Sequence, residues 1–146
     1  MSDTKKVLIL CTGNSCRSQM AEVIWNQLGG DEWEAVSAGS NPAGYVHPLA
    51  IELLKELNLP AEGLVSKHLD QFVGQDFELV VTVCDNAKGD CPMIPGAKKT
   101  LHWPFEDPND AEGNDEEKMK VFRGVAELIQ ARISAFLEKL KGDDCA

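Results

Sequence analysis

The stretch Val7-Leu8-Ile9-Leu10-Cys11-Thr12-Gly13-Asn14-Ser15-Cys16-Arg17-Ser18-Gln19-Met20-Ala21-Glu22-Val23-Ile24-Trp25 decides the fold of this chain. Its first four residues are a short apolar run, which predicts a buried strand. Beyond it, Met20, Ile24 and Leu28 recur at helical spacing, with Ala21 and Trp25 beside them. Cys11 to Ser18 is then a strand-to-helix turn. Such a turn aims backbone N–H groups at one point, and the helix N-terminus adds partial positive charge. Cys11 stands at the mouth of this cradle and Arg17 closes it. A helix N-terminus or a nearby cation lowers a cysteine pKa from about 8.5 to roughly 3.5–7.5, so Cys11 reads as a thiolate nucleophile for an oxyanion. Arg17 can grip two oxygens of a tetrahedral anion with its planar fork, which a lysine cannot. Gly13 offers a positive φ, Asn14 can brace the loop through its side chain, and Ser15 or Ser18 can donate to the Cys11 sulfur. The plain alternative is a structural cysteine before an ordinary helix cap. The gathering of Cys, Gly, Asn, Arg and Ser in one turn argues against it.

Outward from this stretch, strands and helices alternate. Gly29-Gly30 ends the first helix, and Trp33–Ala38 reads as a second strand. Pro48 opens a second helix with Leu49, Leu53 and Leu57 on its stripe, stopped at Asn58-Leu59-Pro60. Asp70–Val73 reads as a short helix, Leu79–Val83 as a buried strand and Lys99–Trp103 as a fourth. From Glu106 to Glu117 there are seven acids and no base, the pattern of a solvated loop for all of them but Asp107. Phe122, Ala126, Ile129, Ile133, Phe136 and Leu140 then define a long last helix from about Asp115, with Gly142 expected to end it. The pattern predicts one α/β domain over residues 1–146, a four-stranded parallel sheet with helices on both faces. Ligands of such sheets sit beyond the carboxyl ends of the strands. Cys11, Cys84 and the Trp103–Asp107 segment all follow strand ends, so three separate stretches converge on one rim.

Composition narrows the function. With 146 residues and 43% apolar content the chain has room for a core. A net charge of −10 argues against nucleic acid or an anionic membrane as partner, and makes the attraction of an anionic substrate a local matter for the loop. No apolar run is long enough to span a bilayer, and Met1-Ser2-Asp3-Thr4-Lys5-Lys6 is unlike a signal peptide, so a cytoplasmic location is expected. Five cysteines in such a protein point to redox or nucleophilic use. The spacings Cys11-x4-Cys16 and Cys84-x6-Cys91 fit zinc knuckles poorly, the three histidines show no metal spacing, and no metal or cofactor is expected.

Cys11-x5-Arg17-Ser18 after the first strand, with Asp107-Pro108 late in the chain, resembles the low-molecular-weight protein tyrosine phosphatase fold. Several further features are more specifically similar to the thioredoxin-coupled arsenate reductases built on that fold. They are Cys11 through Glu22, Ser37-Ala38-Gly39, the strand ending at Cys84 with Cys91-Pro92 after it, and His102-Trp103-Pro104-Phe105-Glu106-Asp107-Pro108. The resemblance implies arsenic detoxification by reduction of arsenate to arsenite. Thr12, Gly13, Asn14, Ser15, Cys16, Arg17 and Ser18 would cradle arsenate, with phosphate or sulfate competing. Cys11 would attack arsenic and Asp107 would protonate the leaving hydroxide. Cys84 would then attack Cys11, and Cys91 would attack Cys84, leaving a redox-active Cys84–Cys91 disulfide for thioredoxin to reduce. A monomer is expected.

Residue by residue, plainer readings stay open: Cys84 as a core cysteine closing a strand, Asp107 as a turn-former before proline. Cys16 reads as packing and Cys145 as a bystander. The rival enzyme is a phosphotyrosine phosphatase working through a phosphocysteine. It would leave Cys84 and Cys91 without a task, and Asn109-Asp110-Ala111 stands where aromatic residues are usual in those phosphatases.

Overall fold

A computed structural model describes residues 4–11, 13–61, 63–72, 74–83, 97–103, 105, 108 and 111–144. The expected elements appear in order: β1 (Lys5–Cys11), α1 (Arg17–Gly29), β2 (Trp33–Gly39), α2 (Pro48–Glu56), a 3₁₀ turn (Leu69–Phe72), β3 (Leu79–Thr82), β4 (Thr100–His102) and α3 (Asp115–Asp144). The four strands form one parallel sheet in the order β2-β1-β3-β4. β1 is central, with Val7 opposite Ala35 on one side and Leu79 on the other. The chain leaves β1 toward β2 and later returns to its other side as β3. The crevice beyond the carboxyl end of β1 is therefore the topological switch point, where ligands bind in open α/β sheets, and Cys11 is the last residue of that strand.

Strand alternation divides the interior in two. Val7, Ile9 and Cys11 face a large core with Leu79 and Val81, shared by α1, α2 and α3. Leu8 and Leu10 face a smaller one with Val80, Phe77, Ala38 and Leu69. All three α-helices serve the first core. Among the described residues, the helical cover of the second face is the 3₁₀ turn Leu69–Phe72. Trp25 stacks on Trp103 with centroids 5.9 Å apart and meets Trp33 edge-on at 5.3 Å, while Phe136 of α3 packs against all three indoles. This cluster ties α1, β2, α3 and the exit of β4 together.

The helix ends follow local chemistry. Gly29 lies so close to Trp33 that a Cβ there would sit 2.8 Å from the Trp33 Cβ, so the turn into β2 has no room for a side chain. α2 is capped in a way the sequence reading did not foresee: His47 Nδ1 accepts the Leu49 N–H at 3.1 Å. Gly142 does not end the last helix, which continues to Asp144. One interior glycine costs a helix only about 1 kcal/mol, too little to break one anchored along its whole buried face.

Arg123 of α3 grips Glu56 of α2 with two bonds of 2.8 Å. The hydrogen bond from Arg123 holds the Glu56 carboxyl below its ordinary value. A carboxylate with a lowered pKa adds stability above its unfolded value, and that stability is lost as pH falls through the folded one. Glu56→Gln is therefore expected to lower stability slightly at neutral pH. The difference from the wild type should close in acid, as read from denaturant melts across pH.

Candidate active site

The Cys11–Ser18 turn is the polar centre of the molecule. Six polar or charged residues are buried among those described, and five of them belong to it or touch it: Asn14, Arg17, Ser18, Gln19 and Ser37. Asn14 organises the turn. It holds φ at 47°, a left-handed conformation uncommon for a residue with a Cβ. The sequence reading assigned that freedom to Gly13, and Asn14 is the residue seen to use it. The expected bracing by its side chain is present. Its Nδ2 donates to Ser18 Oγ at 2.8 Å and Ser37 Oγ at 3.0 Å. Its Oδ1 accepts from Lys67 N at 2.7 Å and Gln19 Nε2 at 3.0 Å. All four bonding positions of the amide are filled, which fixes its orientation.

The carbonyls of the turn are held from outside. Gly13 O accepts from Ala43 N at 2.9 Å and Ser66 Oγ at 3.2 Å. Asn14 O accepts from Gln19 Nε2 at 3.0 Å, and Ser15 O from His47 N at 3.0 Å. In a planar trans peptide the N–H points opposite to the C=O. With three successive carbonyls drawn outward, the N–H groups of Asn14, Ser15 and Cys16 point away from those anchors. That is the arrangement of an anion-binding nest at a helix N-terminus.

Cys11 is 4% exposed and Arg17, the first residue of α1, 6%. Arg17 Nη1 donates to Phe105 O at 3.0 Å, which anchors the guanidinium where it follows the loop. Cys16 is buried in the larger core, as read from the sequence, and Ser15 Oγ lies 3.6 Å from its sulfur. Ser18 Oγ takes the Asn14 amide, leaving its own proton for another acceptor.

Thr12, Cys84, Cys91 and Asp107 lie outside the described residues, as does Cys145. Their described neighbours reach the same rim. Val83 N donates to Leu10 O at 2.9 Å, and Phe105 N to Val83 O at 3.2 Å. The chain just before Cys84 thus runs beside the strand that ends in Cys11, and the chain just before Glu106-Asp107 runs beside Val83 in turn. The sequence reading missed the outer brackets of the loop, Ala43, His47 and Ser66-Lys67. No motif marks them, because each acts through the backbone or across a long loop.

Residues 6–145 match the family of low molecular weight phosphotyrosine protein phosphatases. The chain belongs to that family. Within the low molecular weight phosphatase family it is similar to arsenate reductases. That of Halalkalibacterium halodurans is 46% identical over 134 residues, covering 92% of this chain and 96% of the relative. The crystal structure of arsenate reductase from Archaeoglobus fulgidus superposes with a TM-score of 0.75 at 30% identity, over 90% of this chain and 98% of that one. The thioredoxin-dependent arsenate reductase of Corynebacterium glutamicum gives 0.73 at 28% identity, over 96% of this chain and 63% of that one. The four-stranded parallel sheet expected from the sequence is that of the low molecular weight phosphatase fold. No helix among the described residues is long and apolar enough to cross a membrane.

Proposed function

We propose that this chain reduces arsenate to arsenite through a three-cysteine relay recycled by thioredoxin, serving arsenic detoxification as a cytoplasmic monomer. The observation that carries the reading is the likeness to arsenate reductases along nearly the whole chain, on a loop whose amides and Arg17 suit a tetrahedral oxyanion.

The chemistry follows from the residues. The loop N–H groups and Arg17 hold arsenate over Cys11. The Cys11 thiolate attacks arsenic, and an arsenic–oxygen bond breaks as the leaving oxygen takes a proton from Asp107. Cys84 then attacks the Cys11 sulfur. A sulfur–sulfur bond forms, the arsenic–sulfur electron pair stays on arsenic, and arsenite departs. Arsenic gains two electrons and the two cysteines lose two. Cys91 attacks Cys84, freeing Cys11 and leaving the Cys84–Cys91 disulfide, which the thioredoxin dithiol reduces by the same exchange.

A single-turnover experiment on fully reduced protein, with arsenate and no added reductant, tests this. Wild type is expected to release about one arsenite per chain, since one dithiol supplies two electrons, and to end with Cys84 joined to Cys91 in peptide mass maps. Cys91→Ser should also release one arsenite but stall as Cys11–Cys84 and fail to cycle with thioredoxin. Normal cycling by Cys91→Ser overturns the relay. No arsenite, unchanged thiols and turnover of phosphotyrosine would return the chain to the chemistry its family is named for.

A further inference from the structure

Asn14 is linked to a cation on the far side of the loop by a chain of bonds whose direction is fixed. Both of its amide N–H groups are spent on Ser18 and Ser37, so Ser37 Oγ acts as an acceptor toward it. The single proton of Ser37 is then directed to Glu22 Oε1, 2.7 Å away. Lys67 Nζ lies 3.6 Å from that same carboxylate oxygen and donates to Val65 O at 3.0 Å. Lys67 also touches the other end of the chain, because its backbone N–H donates to Asn14 Oδ1. The path Asn14–Ser37–Glu22–Lys67 therefore closes on itself. Little of it meets water: Asn14 and Ser37 are fully buried, and the side chains of Glu22 and Lys67 are 16% and 19% exposed. Lys67 is the ion-pair partner of Glu22 among the described residues.

We propose that Lys67 is a positioning residue for the oxyanion loop, its ammonium supplying through Glu22 and Ser37 the charge that holds Asn14 in its left-handed conformation. An ionised carboxylate needs donors or a cation when it is drawn out of water. With Lys67 in place, Glu22 stays in the closed ring and accepts from Ser37. Without it, the carboxylate gains by turning toward solvent, Ser37 loses the acceptor for its proton, and nothing keeps its lone pair aimed at the Asn14 amide. Asn14 then relaxes toward the more populated backbone regions. Rotation of the peptides on either side of it turns the Asn14 and Ser15 N–H groups out of the nest. Cys11 loses the dipoles that stabilise its thiolate, and the loop loses grip on an anion. The inference rests on the reading of the loop as an oxyanion site, and it adds a residue 53 positions away in sequence that touches no substrate.

The test compares wild type, Lys67→Met, Lys67→Arg, Glu22→Gln and the double variant Glu22→Gln/Lys67→Met in the reduced full-length chain. Two quantities are read: the dissociation constant for inorganic phosphate by calorimetry, and the pH midpoint for alkylation of Cys11, followed on its own peptide by mass spectrometry. Lys67→Met should weaken phosphate binding about tenfold, the scale of one partly buried charge contact, and move the Cys11 midpoint upward. Lys67→Arg should keep both near wild type. The double variant should recover most of the loss, since a neutral glutamine still accepts the Ser37 proton and needs no cation. Wild-type values in Lys67→Met overturn the proposal, even if its melting temperature falls. A double variant as impaired as Lys67→Met overturns it as well. Failure of wild type to bind phosphate would count against the oxyanion reading alone, because the alkylation midpoint reports on loop shape without any anion.

Discussion

Cys11→Ser should yield a folded protein that releases no arsenite at all. The substitution removes little volume from a residue already buried at the end of β1, so melting and helix content should stay close to wild type. The chemical loss is total because it occurs twice. A serine hydroxyl, unlike a thiol, is not ionised near neutral pH by a helix N-terminus and a cation. Even if it attacked arsenic, oxygen cannot accept the sulfur–sulfur bond through which Cys84 would withdraw, and no electron pair could pass to arsenic. Binding of phosphate should survive, since the nest is made by Asn14, Ser15, Cys16 and Arg17. The checks are arsenite measured by anion-exchange chromatography and phosphate affinity by calorimetry. Arsenite above the protein-free background would remove Cys11 from the centre of the reaction.

Arg17→Lys should lower kcat/KM for arsenate by about 10²–10³-fold, the usual cost of deleting one positioned donor to a developing oxyanion. Two features of Arg17 make lysine a poor replacement. Arg17 is 6% exposed, so whatever it leaves behind is not repaired by bulk water. One of its nitrogens is committed to Phe105 O at 3.0 Å, and the planar fork carries further N–H donors beside it. A lysine has one nitrogen for both tasks. It can serve the Phe105 carbonyl or the anion, and in either case a buried polar group loses its partner. Steady-state kinetics with arsenate at saturating reductant measure the effect. A loss smaller than tenfold would mean that the backbone amides alone carry the oxyanion.

The half of the site written in consecutive residues is legible in the sequence. The apolar run into Cys11 and the helical stripe from Met20 fix a strand-to-helix turn by periodicity alone, and β1 ends at Cys11 as read while α1 begins at Arg17, within the Cys11–Ser18 stretch read as the turn. Asn14 as a brace was also legible, because a small amide in a tight loop has few other uses. Its left-handed φ was not, since glycine beside it offered a simpler host for that conformation. Lys67 was invisible in the same way. Nothing in Val65-Ser66-Lys67-His68 announces that its backbone will lie 2.7 Å from Asn14, because that contact depends on how the chain returns after α2. His47 reads only as a histidine without metal spacing just before α2; its ring capping α2 and its amide holding Ser15 are visible only in the fold. Gly142 misled for a different reason: helix-stop signals are local, whereas α3 is held by its contacts with the sheet and the other helices.

The indole cluster gives the molecule an optical signature. All three tryptophans of the chain belong to it. Trp25 and Trp103 stack nearly parallel, at 14°, close enough to share excitation and to rotate near-ultraviolet light as a coupled pair. The Trp25 N–H meets no acceptor among the described residues, so its emission belongs at the short-wavelength end of the tryptophan range. Trp103 stands two residues before Phe105, whose carbonyl holds Arg17. A guanidinium that shifts when an anion arrives therefore tugs on the segment carrying one of the coupled chromophores. Occupancy of the loop should register as a change in intrinsic fluorescence, without a dye or a label.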